Sequence, residues 1–327
     1  MKVFIIIAVS VAVLALGALL VGSYMLYKIA AKRDKKPNCS VWDRVLPPPG
    51  MAPMGKFEPH LSENRAWLIS AANAENAERV SIKSHDGLTL NARIIPCVGR
   101  EKPRAVILMM HGYRSNPLHD FGGSARDFAE KGFILCMPSQ RAHGDSEGRH
   151  LTYGVKERYD AVRWCRFLAD KYAHLPIIMC GISMGSSTVL MASELALPKS
   201  VVGIIADCGY TTPAEICKKV MTQDMHLPAF PLYYTAQIFL RLFAGYSFND
   251  ASAVEAVSKT KLPIMLIHGT DDAFVPFEMG ERIRDAITSP CFYFAAKSAG
   301  HGESYMVDRE GYDKVFAAFL EACRIEK

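Results

Sequence analysis

Pro176-Ile177-Ile178-Met179-Cys180-Gly181-Ile182-Ser183-Met184-Gly185-Ser186 is a continuous apolar run that leads straight into a helix candidate, Met184 to Leu195. A short run without polar alternation reads as a strand buried on both faces. The G-x-S-x-G at its end puts Ser183 on a sharp strand-to-helix turn. Side chains at Gly181 or Gly185 would clash there with the neighbouring strand and helix. Three fixed residues recur by chance, and a serine at a helix start also serves as a simple cap, so the surroundings have to decide.

Outward from this segment the same pattern recurs. Apolar runs at Ala105 to Met110, Phe133 to Met137, Pro176 to Cys180, Val201 to Ala206, Pro263 to Ile267 and Cys291 to Ala295 alternate with amphipathic stretches. Helices are predicted at Gly123 to Lys131, Gly154 to Tyr172, Met184 to Leu195, Pro276 to Ile287 and Tyr305 to Arg324. Strand and helix in turn imply an α/β protein, a mostly parallel central sheet with helices on both faces. Ahead of it, Val80 to Ser84 and Leu88 to Pro96 flank His85-Asp86-Gly87, which reads as a tight hairpin at an antiparallel edge. One interval breaks the alternation: about 50 residues separate the strand ending near Ala206 from the one starting at Pro263. A crossover that long, rich in Met, Phe and Tyr, predicts a small helical lid over about 209–260, inserted before the next strand.

Two further elements follow Ser183 in a fixed order. His268-Gly269-Thr270-Asp271-Asp272 carries an acid past a strand end, and Gly300-His301-Gly302 carries a histidine on a glycine-flanked loop before the last helix. Serine is a poor nucleophile near neutral pH, so it needs an imidazole to take its proton and a carboxylate to hold that imidazole in the right tautomer. Candidate catalytic residues are therefore Ser183 as nucleophile, His301 as base and Asp272 as the orienting acid. The oxyanion needs preorganised donors: the backbone N–H of Met184, next after the nucleophile, and that of Tyr113, in the His111-Gly112-Tyr113-Arg114 loop after an earlier strand. Spacing to Val275-Pro276 favours Asp272 over the adjacent Asp271. Asp207 reads as a turn or cap residue, His143 and Asp145 as loop fasteners, and His111 as shaping the oxyanion loop.

The His111-Gly112-Tyr113, His143-to-Gly148, Gly181-to-Ser187, His268-to-Pro276 and Ala299-to-Gly302 segments together resemble the esterase, lipase and serine-aminopeptidase-like branch of the α/β-hydrolase superfamily, over roughly residues 78–325. The resemblance implies the α/β-hydrolase fold, Asp272 as triad acid, Tyr113 and Met184 as the oxyanion hole, and residues 209–260 as a cap over the pocket.

The N-terminal segment stands apart. Val3 to Tyr27 contains no ionisable side chain other than tyrosine, long enough for a single transmembrane helix. The competing signal-peptide reading would need an unusually long apolar region, and no clear small-x-small cleavage site precedes the basic cluster. Residues 1–36 carry the chain's whole net charge of +5, so the excess belongs beside a membrane, and nucleic acid is not an expected partner. The basic flank favours a cytoplasmic domain, while the very short N-terminal tail leaves both orientations open. Residues 37–59 are Pro-rich and read as a stiff linker, and 60–327 as the catalytic domain. The nine cysteines form no C-x-x-C pair and fall mostly in apolar runs, as buried free thiols do. Neither metal-ligand spacing nor a phosphate or dinucleotide loop is evident, so no metal and no cofactor are expected.

The expected activity is that of a serine hydrolase, a carboxylesterase for a small-molecule ester with an apolar acyl or aryl group. An aminopeptidase-like amide hydrolase is the alternative within enzymes, and a non-catalytic, membrane-tethered binding protein the alternative of another class. Fluorophosphonate labelling separates the last from the first two.

Overall fold

The computed structural model describes residues 1–33, Trp42 and 57–326. The Pro-rich stretch expected as a linker therefore lies almost wholly outside the described residues.

In chain order the elements are α1 (Lys2–Ala31), α2 (Glu58–Asn73), β1 (Glu78–Lys83), β2 (Thr89–Ile95), β3 (Ala105–Met110), α3 (Pro117–Asp120), α4 (Ala125–Glu130), β4 (Phe133–Pro138), α5 (Glu157–Lys171), β5 (Ile177–Ile182), α6 (Met184–Ala192), β6 (Val201–Asp207), α7 (Pro213–Lys219), α8 (Leu232–Phe239), α9 (Ala253–Val257), β7 (Ile264–Gly269), α10 (Phe277–Ala286), β8 (Cys291–Ala296), α11 (Ser304–Val307) and α12 (Arg309–Ala322). The strands form one sheet in the order β1-β2-β4-β3-β5-β6-β7-β8. β2 runs antiparallel to both its neighbours, and β3 to β8 are parallel.

Two-sided burial explains the apolar runs of β3 to β7, whereas β8, at the edge of the sheet, is partly exposed. Along β3, Val106, Leu108 and Met110 face one core with α5 and α6, while Ala105, Ile107 and Met109 face another with α2, α4 and α12. Every residue of β3, β4 and β7 is buried. The chain leaves β3 towards β4 on one side and returns to β5 on the other. That reversal opens a crevice beyond the C-terminal ends of β3 and β5, where open α/β sheets bind ligands.

Local chemistry sets the element ends. Gly87 has φ +87°, which closes the β1–β2 hairpin at low steric cost. The single helix expected over 305–324 is divided at Asp308, whose side chain accepts from Gly311 N–H at 2.9 Å and starts α12 afresh. α5 starts later than expected because the buried Glu157 carboxylate accepts from the N–H groups of Thr152 and Gly154, each at 2.9 Å, and holds that stretch as a loop. Arg141, after β4, donates to both Asp160 oxygens of α5 at 2.6 and 2.7 Å and to both Asp86 oxygens of the hairpin turn at 3.0 and 3.1 Å. It ties the antiparallel edge to the parallel sheet.

The expected lid comprises α7, α8 and α9, with π-helical turns at Val220–Asp224 and Leu240–Ala244. α7 starts at Pro213 after a Thr212 cap, whose hydroxyl accepts from Glu215 N–H at 3.1 Å. α1 packs against this lid. Ser23, Tyr27 and Ala31, spaced by four, are its buried residues and form one helix face. Ser23 hydrogen-bonds Thr235 of α8, Tyr27 Oη lies 2.7 Å from His150 Nε2, and the Arg33 guanidinium donates to Gly144 O at 2.5 Å and Ser146 O at 2.6 Å. The eight cysteines among the described residues are all free. Cys136, Cys165, Cys180 and Cys208 are buried, which pushes their thiols up and keeps them protonated.

Candidate active site

β5 delivers Ser183 at φ +55°, ψ −117°, a conformation that a residue with a side chain rarely adopts. The flanking glycines are dictated by space. A Cβ on Gly181 would lie 2.2 Å from Gly185 O, and one on Gly185 would lie 1.8 Å from Met110 O, both immovable backbone. Ser183 N–H donates to Asp207 O at 2.9 Å, which fixes the turn to the end of β6.

The three nominated side chains converge. His301 Nε2 lies 3.0 Å from Ser183 Oγ, and His301 Nδ1 lies 2.7 Å from Asp272 Oδ2. Asp272 is held in turn by the N–H groups of Phe274 at 3.0 Å and Val275 at 2.9 Å on its other oxygen. Burial works against the ionised carboxyl, but hydrogen bonds from His268 and His301 outweigh it and keep Asp272 well below the usual carboxylate range. Asp271 is exposed and accepts from the Thr270 hydroxyl at 3.0 Å, away from the imidazole.

Met184 is the first residue of α6, so its N–H is among those a helix leaves without an intrahelical partner. The His111–Arg114 loop reaches the same place: a Cβ built on Gly112 would sit 3.4 Å from Ser183 Cβ. That loop is tied down. Gly112 N–H donates to Asp120 Oδ2 at 2.5 Å, Arg114 N–H to His143 Nε2 at 3.1 Å, and Gln140 N–H to His111 Nε2 at 3.1 Å. Burial lowers the pKa of both His111 and His143, so both are neutral acceptors, which is what these bonds require. Asp145 contributes its backbone carbonyl, accepting from Asn91 Nδ2 of β2 at 2.7 Å.

Three groups near the site were not singled out by sequence pattern or have a different setting than expected. His268, fully buried at the end of β7, donates Nε2–H to Val275 O at 2.9 Å and lies 3.4 Å from Asp272 Oδ2. Burial opposes its charged form, yet its contact with Asp272 raises its pKa on balance. The only sequence signal for it is a histidine four residues before the acid. Asp207, expected in a turn or cap, instead closes β6 as a buried residue, with Oδ1 lacking a hydrogen-bond partner among the described residues. Burial pushes its carboxyl up to about 7. Cys208 Sγ lies 3.9 Å from His301 Nε2. Cys208, Asp272 and His301 bring ligand-type atoms within 4.8 Å of one another. Asp272 and His301 already bind each other, and Cys208 is held as a thiol rather than the thiolate that metals prefer.

In front of Ser183 lies a cavity of about 390 Å³, lined by the lid residues Ile216, Val220, Met221, Met225 and Leu240, by Tyr113, Tyr153 and Phe274, and by Leu26, Ile29 and Ala30 of α1. Among the described residues no carboxylate lines it. Nothing in the N-terminal sequence pattern signals its presence in the cavity, since its partners there, such as Tyr113 and Tyr153, lie 83 and 123 positions from Ala30.

Residues 101–223 match the family described as serine aminopeptidase, S33. The chain is 28% identical over 216 residues to the uncharacterised protein YqkD of Bacillus subtilis (strain 168), covering 66% of this chain and 70% of that one. Among solved structures it is similar to the esterase Pf2001 of Pyrococcus furiosus, with a TM-score of 0.57 and 20% identity, covering 75% of this chain and 92% of the esterase. It is also similar to a puromycin-hydrolysing peptidase of Mycobacterium tuberculosis, with a TM-score of 0.57 and 18% identity, covering 76% of this chain and 40% of the peptidase. At such identities the structural likenesses speak to the fold.

Proposed function

We propose that this α/β hydrolase, a chain of the serine-hydrolase type, is a carboxylesterase tethered to a membrane by α1 and acting on esters with an apolar acyl or aryl group. Ser183 Oγ attacks the ester carbonyl while His301 Nε2 takes its proton. Asp272, accepting from His301 Nδ1–H, fixes the tautomer and stabilises the imidazolium. The N–H groups of Met184 and Tyr113 donate to the oxyanion, each contributing roughly 3 kcal/mol. The alcohol leaves with the proton returned by His301, and water deprotonated by the same imidazole releases the acid.

The observation that carries this reading is the unbroken run of hydrogen bonds from Asp272 through His301 to Ser183, at 2.7 and 3.0 Å, beside an apolar cavity. The strained backbone of Ser183 supports an enzyme over a binding protein, which has no use for a nucleophile in that conformation. The apolar lining supports ester over amine-bearing peptide. An aminopeptidase needs a carboxylate for the substrate ammonium, and three lid acids face cations elsewhere, Glu215 with Arg282 at 2.6 Å, Asp224 with Lys219 at 2.8 Å and Asp250 with Arg241 at 2.9 Å, while the fourth, Glu255, is exposed on α9. Anchoring is supported by the length of α1 and by the mean hydropathy of 3.0 across its most apolar 18-residue window.

A fluorophosphonate probe is expected to label Ser183, and Ser183→Ala to lower kcat for p-nitrophenyl esters by about six orders of magnitude with folding intact. Near-normal turnover by the alanine variant would sink the assignment. Faster cleavage of aminoacyl amides than of esters would reverse the choice of bond.

A further inference from the structure

The cavity has an unusual wall. At 1.5 Å per residue the 30 residues of α1 extend about 45 Å, whereas a bilayer's hydrocarbon core is about 30 Å thick and takes about 20 residues. Counted from Val3, that length is used up near Gly22. The next residue, Ser23, is the first buried one of the helix. The cavity-lining residues Leu26, Ile29 and Ala30 follow within roughly 6–12 Å along the axis, at the depth of the headgroup layer and just beyond it.

The lid meets the same level. Tyr24 of α1 packs edge-on against Phe239 and Phe243, at ring separations of 5.6 and 6.2 Å. On the outward side of the lid, Phe230, Tyr234, Ile238 and Leu242, again spaced by four, are 77%, 53%, 57% and 70% exposed. A stripe of this kind is costly in water, and here it continues the apolar surface of a membrane-length helix. Lys28, with its ammonium 5.7 Å from the Tyr24 ring, stands where a basic side chain would meet lipid headgroups.

We infer that α1 is a working part of the substrate site as well as a tether, and that the outer face of the lid rests in the bilayer surface beside it. The substrate is then an ester resident in the membrane, with one long apolar chain and a small polar head. The chain enters laterally and lies between the last turns of α1 and the lid, while the carbonyl reaches Ser183. The cavity of about 390 Å³ is near the lower end of the ~300–1,000 Å³ typical of small-molecule sites, which suits one chain rather than two. Leu26 on the α1 wall sets how long that chain can be. This rests on the esterase reading above.

The experiment uses the full chain in phosphatidylcholine vesicles. It compares kcat/KM for p-nitrophenyl palmitate dissolved in the vesicles with that for water-soluble p-nitrophenyl acetate, alongside fluorophosphonate labelling of Ser183. Leu26→Trp fills the cavity from the α1 side and is expected to lower the palmitate-to-acetate ratio about tenfold. Leu26→Ala enlarges it with little risk to folding and is expected to raise the ratio. Replacing Ile238 and Leu242 together by Asn is expected to raise KM for the vesicle-borne ester more than for the acetate. If Ser183 is labelled but the ratio moves in neither Leu26 variant, the inference about α1 is overturned while the esterase reading stands. If the wild-type chain is not labelled, the esterase reading itself fails.

Discussion

Asp207 holds a carboxyl group one strand away from Ser183, buried and pushed up to about 7 by that burial, against 3.8 as the ordinary value. Its proton is therefore bound more tightly in the folded chain than in the unfolded one. Between about pH 4 and 7 the unfolded state holds fewer protons at this position, so by linkage the folded state loses stability as pH rises through that window. The contribution of the neutral acid is complete below pH 3.8 and gone above about 7. Asp207→Asn keeps the shape and removes the titration. Its Tm relative to the wild-type chain is expected to climb from pH 4 to pH 7 and then level off, as read by thermal scans across that range. A constant difference over the window would mean that the carboxyl is already ionised in the folded protein. Asp272, buried on the neighbouring strand end, has the opposite bias because four donors surround it. Two acids at adjacent strand ends are thus set apart by burial on one side and by hydrogen bonds with neighbouring charge on the other.

At the scale of elements, the join between the β1–β2 hairpin and α5 depends on Arg141. Arg141→Ala leaves the Asp160 carboxylate, whose side chain is only 2% exposed, without its cation. Breaking a buried pair in this way costs about 3–5 kcal/mol, measurable by urea unfolding, and a loss below about 1 kcal/mol would show that water or another group takes the place of Arg141. The parallel strands were legible from sequence because burial on both faces demands unbroken apolar runs such as Ala105–Met110. α2 was not: besides Leu61, Leu68 and Ala72 it buries Asn64 and Arg65, so no clean apolar stripe marks it. The positions of Ser183, Asp272 and His301 were legible because strand-end loops present them in a fixed chain order. His268 and the α1 wall of the cavity were not, since each acquires its place through partners that no local pattern names.

For the molecule as a whole, the docked end of α1 closes one side of the lid. It offers Ser23, Tyr27 and Ala31 to the domain, accepts hydrogen bonds at Ala30 O from Tyr113 Oη at 2.7 Å and Tyr153 Oη at 3.1 Å, and is clamped by Arg33. A chain lacking residues 1–33 is expected to have a lower Tm in the same detergent and to bind an apolar dye at the uncovered lid face; an unchanged Tm would mean the docking adds nothing to stability. The sequestered sulfurs have a consequence of their own. Cys136 on β4, Cys180 on β5, Cys208 just past β6 and Cys165 on α5 are spread through the interior like four gauges, and none is accessible while the structure is closed. Maleimide capture at each of them clocks how often that part of the interior breathes open, with no engineered reporter required.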